Sequence, residues 1–167
     1  MPELNNQNFN HLKIHTQYSI CEGAIKIDNL KDFCKEKKIP CLGISDTSNL
    51  CGALEFAENI SKVGTQPIIG TQIYFRFEDT TGLLPLIALN ENGYKRIIEL
   101  SSRSYLENDA LSDPHLDVKE LLIDTEGVSL LSGTIQGLFG KLFEKGRLDE
   151  ISKLYRSLSS KFNDNFY

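Results

Sequence analysis

His11, Lys13 and His15 are the residues whose types and spacing first invite chemistry. They alternate with Leu12 and Ile14. In an extended strand, residues two apart project from the same face, so both imidazoles and the ammonium share one side. Two histidines at a strand end can hold a metal ion, but a working metal site also needs a carboxylate shell. Glu22 and Asp46, the latter in Ser45-Asp46-Thr47-Ser48-Asn49, are the candidates to supply it.

Other groups read more simply. Thr16, Tyr18 and Ser19 carry hydroxyls that can take a phosphate, yet Ser and Thr at a strand–loop junction more often cap the next turn. Gly133, Gly137 and Gly140 lack the Gly-Lys-Ser/Thr ending of a phosphate-binding P-loop. His115, beside Pro114, is expected in solvent. No Ser/His/Asp triad can be assembled. Cys21, Cys34, Cys41 and Cys51 show no Cys-x-x-Cys spacing, so the expectation is buried free thiols, not a zinc ribbon or redox pair.

The elements that must position these groups alternate in type. Leu12 and Ile14 mark a first strand. Leu30, Phe33 and Cys34 recur at helical spacing, with Asp28 as the expected N-cap and a lysine-rich end before Pro40. Residues 41–44 read as a short buried strand. Leu50, Ala53, Leu54, Ala57 and Ile60 form one apolar helical face. Residues 68–75 give a third strand, bent at Gly70, and 83–89 a fourth, which contains Pro85. Tyr94, Ile97, Ile98 and Ser101 open another helix. A looser stretch over 107–117 carries the Asp113-Pro114 turn signal, followed by a fifth strand at 128–131 and helices over 135–144 and 148–162. Phe166 and Tyr167 begin what reads as a further strand. Such alternation predicts a mostly parallel α/β sheet or barrel, not a meander.

The bulk numbers set bounds. With 167 residues, 40% of them hydrophobic and 25% charged, the chain can bury a core without staples. No run is apolar enough to span a bilayer, and the polar Met1 to Asn10 tail has no leader pattern, so a cytoplasmic protein with no membrane contact is expected. The net charge of −5, and a densest basic run (Lys35-Glu36-Lys37-Lys38) that sits at a helix end, argue for little direct DNA contact.

Taken in order, the motifs carry a resemblance. The string from His11 to Ser19, with Glu22-Gly23-Ala24 behind it, resembles the opening motif of the PHP (polymerase and histidinol phosphatase) domain. Within that family the similarity is to the branch at the front of the bacterial replicative DNA polymerase III alpha subunit. Ile44-Ser45-Asp46 with Asn49-Leu50-Cys51-Gly52-Ala53-Leu54-Glu55-Phe56 resembles its second motif, and Gln66-Pro67-Ile68-Ile69-Gly70 its third. The segments from Ala88 to Tyr94 and Leu130-Leu131-Ser132-Gly133 follow in the same order. The resemblance covers 11–167, behind a polar tail over 1–10.

That resemblance implies a distorted β/α barrel. A closed one ordinarily takes about 200–250 residues, so an incomplete barrel is expected, with 11–167 as its N-terminal part. Active members hold up to three metal ions and hydrolyse phosphate esters. They place histidines at the positions of Lys13, His15, Thr47 and Leu83, and carboxylates at those of Glu22, Asp46 and Gln72. Here His15, Glu22 and Asp46 remain, while Lys13, Thr47, Gln72 and Leu83 depart. An ammonium repels a metal where an imidazole should donate, and losing four contributors should abolish a multi-metal site. The implied reading is a relic site with no cofactor and no catalytic residue, in which Lys13 fills the vacated position by pairing with Glu22 or Asp46. The implied role is a structural and docking module in DNA replication, set against the rest of the alpha subunit and the proofreading exonuclease subunit. DNA-directed DNA polymerase (nucleotidyltransferase) activity would belong to downstream domains. The competing reading is a metal-dependent phosphoesterase or proofreading nuclease, and a weaker one is a histidinol-phosphatase-like enzyme.

Overall fold

The computed structural model describes residues 9–109 and 111–167. Of the expected polar tail, only Phe9 and Asn10 fall inside that range, and both are exposed. The order is α1 (Ile27–Lys37), β1 (Cys41–Thr47), α2 (Ala53–Ser61), β2 (Gln66–Phe77), β3 (Thr80–Ala88), α3 (Glu91–Leu106), β4 (Leu116–Asp117), α4 (Val118–Leu121), β5 (Val128–Leu130), α5 (Leu138–Glu144) and α6 (Leu148–Phe162). A 3-10 turn, Asn163–Asn165, follows.

The sheet runs β1-β2-β3-β5, with the two-residue β4 beside the far end of β2. It is an α/β sheet but a mixed one, which corrects the expectation of a mostly parallel arrangement. β1 and β4 run parallel to β2, whereas β3 and β5 pair antiparallel. The central β2–β3 hairpin turns through Glu78-Asp79, and the left-handed position, φ 53°, falls on Glu78 where a glycine or asparagine would ordinarily stand. Pro85 sits inside β3 and keeps its carbonyl in use by accepting from the Leu131 N–H at 2.9 Å.

The expected first strand is not a ladder. The 11–16 segment runs extended beside β1, held by an isolated bridge from Ile14 to Ile44 and a second from Thr16 to Ile25. Gly43 N–H donates to the His11 carbonyl at 2.7 Å, and Ser45 N–H to that of Ile14 at 2.8 Å. At the other end, Phe166 bridges Leu130 in parallel, as the final aromatic pair suggested.

Helix faces follow burial, with local corrections. α1 starts at Lys26 with no side-chain cap, and Asp28 lies within its first turn instead. Ile27, Leu30 and Cys34 make its buried face, and Phe33 is exposed. On α2 the buried stripe is Ala53, Phe56 and Ile60, while Leu54 points to solvent. All four cysteines are free, but only Cys34 is fully buried; Cys21 and Cys51 are exposed. Burial raises the Cys34 thiol pKa. Two apolar clusters result. The larger joins β2, β3 and β5 to α3–α6; the smaller joins β1 to α1 and α2.

Candidate functional site

A turn over 16–23 folds the first motif onto the end of β1. Ser19 N–H donates to the Thr16 carbonyl, and the Glu22 and Gly23 N–H groups donate to the Ser19 carbonyl. Gly23 packs so close that a Cβ there would stand 2.0 Å from the Thr16 carbonyl oxygen, so no other residue fits. The turn is pinned from below by Asp46, which is 1% exposed. One carboxylate oxygen accepts from Thr16 N–H at 2.6 Å and the Ser19 hydroxyl at 2.7 Å; the other accepts from the Thr16 hydroxyl at 2.7 Å. The Thr47 N–H donates back to the Ser19 hydroxyl at 3.1 Å. Thr16 and Ser19 thus cap a turn, and what they hold is a carboxylate, not a phosphate.

A second chain of hydrogen bonds crosses the strands. The Gln72 side-chain amide donates to the Thr47 hydroxyl at 2.7 Å, and that hydroxyl donates to Glu22 in a short bond. β1–β2 register places Thr47 directly opposite Gln72, which explains the match. His15 completes the group, with Nδ1 3.4 Å from the Ser19 hydroxyl and 3.9 Å from Glu22.

Above this network lies a cleft of about 330 Å³ lined by Lys13, His15, Glu22, Gln72, Leu83 and Pro85 on one side and Gly133, Thr134, Gln136 and Gly137 on the other. The seven positions singled out from the sequence are therefore brought together. Five line the cleft, and Asp46 and Thr47 brace it through hydrogen bonds. His11 is not among them; it stacks edge-on against Phe9 at 4.8 Å. His115 lies elsewhere, half-buried, with Nδ1 2.8 Å from the Asp113 carbonyl.

The expected ion pair of Lys13 does not form. Glu22 takes the Thr47 hydroxyl, Asp46 is filled by Thr16 and Ser19, and among the described residues Lys13 makes no ion pair. Both Asp46 oxygens accept protein hydrogen bonds, and the described residues contain no cluster of three or more His, Cys, Asp or Glu able to hold a metal. Glu22 still acts at a distance: Tyr74 has its phenol pKa raised, first by burial and then by the charges of Glu22 and Asp113.

Sequence reasoning missed the 133–137 loop as a wall of the cleft. Its signal was the glycine spacing just past a strand, dismissed for lacking a P-loop lysine. The Tyr18 hydroxyl donates to Glu55 on α2 at 2.6 Å, and that carboxylate raises the phenol pKa.

The PHP domain family model matches residues 11–167. The chain is 36% identical to the DNA polymerase III subunit alpha of Caulobacter vibrioides, over 100% of its own length and 15% of the relative's. It is 31% identical to the protein of that name from Vibrio cholerae, over 95% of the chain and 14% of the relative. The chain thus spans about 15% of the length of these curated relatives. Among solved structures, an amidohydrolase from Chromobacterium violaceum matches with TM-score 0.44 at 12% identity, over 88% of this chain and 54% of that one. A likeness that distant adds nothing to the sequence match.

Proposed function

The chain belongs to the PHP domain family, and on that premise we propose that it is the N-terminal structural and subunit-docking module of a replicative DNA polymerase III alpha subunit, without phosphoesterase activity of its own. The observation that carries the second half is the engagement of Asp46 by three protein donors. Three of the roughly four lone-pair sites of its carboxylate are taken by protein donors, which leaves it little to offer an ion. Gln72 and Thr47 deepen the same effect by tying one Glu22 oxygen into a hydrogen-bond chain. The module needs no cofactor on this reading.

Similarity to the alpha subunits supports a place in DNA replication, with the polymerase reaction carried elsewhere in the longer protein. The partners on this reading are the rest of the alpha subunit and its proofreading exonuclease subunit. The net charge of −5 supports a protein-facing role over a DNA-facing one. No helix of the described residues is long and apolar enough to cross a membrane, and a replicase module would work in the cytoplasm. The competing phosphoesterase reading keeps one observation, the approach of His15 to Glu22 at the cleft wall.

Elemental analysis of the purified protein, with phosphatase and exonuclease assays in added zinc or manganese, separates the two. The expected outcome is no stoichiometric metal and no hydrolysis. Bound metal with activity lost in His15→Ala would overturn the reading. Co-elution with the exonuclease subunit on size exclusion tests the docking half.

A further inference from the structure

Helices α2 and α3 lie on one face of the sheet, and each packs on the strands with little contact with the other. β2 carries the seam between them. Ile69 and Ile73 project from the same side of that strand, yet Ile69 packs with the cluster of α1 and α2, and Ile73 with that of α3. Side chains bordering the seam are small: Ala53 and Ala57 on α2, Ser101 and Ser102 on α3. Two cavities remain between the helices, of about 420 and 450 Å³.

The cavities lie end to end. Residues 48–51, leading into α2, share one with Ile98, Ser101 and Tyr105; Ala53, Leu54 and Ala57 share the other with Leu89 and Tyr94. The two helices therefore run antiparallel, and the trough between them extends from Tyr94 to Tyr105. At a rise of about 1.5 Å per residue that is about 16 Å, roughly three helical turns. Its rims are apolar. Leu54 is 71% exposed, and Leu89, Ile98 and Tyr105 are exposed along the same trough. A single surface leucine needs no explanation, but a line of apolar groups along both walls of a trough marks an interaction site.

Charge indicates what covers it. α2 carries Glu55 and Glu58 and no lysine or arginine. Glu55 is taken by the Tyr18 hydroxyl. Glu58, one turn on from Leu54, has no ion pair among the described residues. The cations of α3 are already answered: Lys95 is held by Glu91 at 2.6 Å, and Arg96 and Arg103 by Glu99. A second copy of the chain would bring the same carboxylate-edged rim against itself. A segment with lysine or arginine beside an apolar stripe answers both the trough and its border.

We propose that this trough docks an amphipathic helix of a partner protein, about three turns long. Its apolar residues, at i, i+3, i+4 and i+7, fill the two cavities, and its lysines or arginines lie along the Glu58 border. This rests on the docking role proposed for the module and supplies the surface for it.

The probe is a synthetic helical peptide with leucines at those positions and lysines on its polar face, titrated into the whole chain by fluorescence anisotropy. Controls are the same peptide with glutamates for lysines and a scrambled one. The lysine form should bind saturably and at least about tenfold tighter than either control, its margin over the glutamate form narrowing with salt. Bound peptide should slow alkylation of Cys51, which lines the trough, and leave Cys21, likewise exposed, unchanged. Leu54→Ser and Ile98→Ser should each weaken binding at least about fivefold with an unchanged melting temperature. Glu58→Gln should weaken the lysine form alone. Phe143→Ser, at an exposed position on α5 outside the trough lining, should have no effect. Binding that survives both Leu54→Ser and Ile98→Ser, or that leaves Cys51 unprotected, overturns the proposal, as does no binding. A concentration-dependent dimer lost in Leu54→Ser assigns the face to a second copy and also overturns it. None of these results touches the docking role itself, which stands or falls on co-elution with the exonuclease subunit.

Discussion

The 11–25 segment and helix α6 are both laid against the same sheet, and they are held there by opposite means. α6 presents Leu154, Leu158 and Phe162, a stripe at helical spacing that is almost fully removed from water. The 11–25 segment has two isolated bridges and few buried apolar side chains; its anchor is Asp46 with three donors, backed by the Gln72–Thr47–Glu22 chain. Apolar burial degrades in proportion to the atoms removed. A buried carboxylate held by three donors does not, because deleting one partner strands the others in a poorly solvating interior. The site region should therefore fail locally and abruptly, and the α6 region globally and by degrees.

The largest expected effect is on the apolar side. Leu158→Ala removes a fully buried side chain from the larger cluster and should cost about 2–5 kcal/mol in denaturant unfolding, with Leu158→Met close to neutral. Equal costs for the two would mean that the stripe is not packed as described. Asp46→Asn should come next, at about 1.5–3 kcal/mol, because it replaces charge-assisted bonds and turns an amide N–H₂ toward donors. Its distinguishing mark is place: hydrogen exchange should accelerate in 11–25 before the amides of β3 and α6 change. Uniform acceleration would erase the contrast between the regions. Thr47→Val, nearly the same shape, should cost about 1 kcal/mol by unpairing the buried Gln72 amide.

How much of this was legible in the sequence divides along the same line. The α6 stripe and the Val128 strand are periodic, so pattern alone places them. The seven site positions were found by resemblance, and the fold does gather them. Their wiring could not be read, since which hydroxyl fills Asp46 depends on the register of β1 on β2 and on a turn closed by Gly23, neither of which leaves a periodic trace. The β2–β3 hairpin was hidden for a related reason. Glu78-Asp79 contains no glycine, asparagine or proline; its two carboxylates are instead held by cations arriving from the start of α6 and its second turn, far along the chain.

Those cations set the smallest and most discriminating effect. Arg147, at the start of α6, pairs with Asp79, and Lys153 reaches Glu78 at 2.9 Å. The guanidinium lowers the Asp79 carboxyl pKa from 3.8 to about 2, helped by the Thr80 hydroxyl. A carboxylate whose folded pKa is depressed contributes stability that is present above its unfolded pKa and lost as pH falls through the folded one. Asp79 should therefore add to the loss of stability between about pH 4 and pH 2. Arg147→Gln should flatten that part of the profile and lower stability at neutral pH by the same amount, which solvent screening of an exposed pair keeps small. Added salt should flatten the native profile in the same direction. The comparison turns on the neutral-pH value. If Arg147→Gln costs as much there as Asp46→Asn, then α6 is held by its charges as much as by its apolar stripe, and the division between the two regions fails.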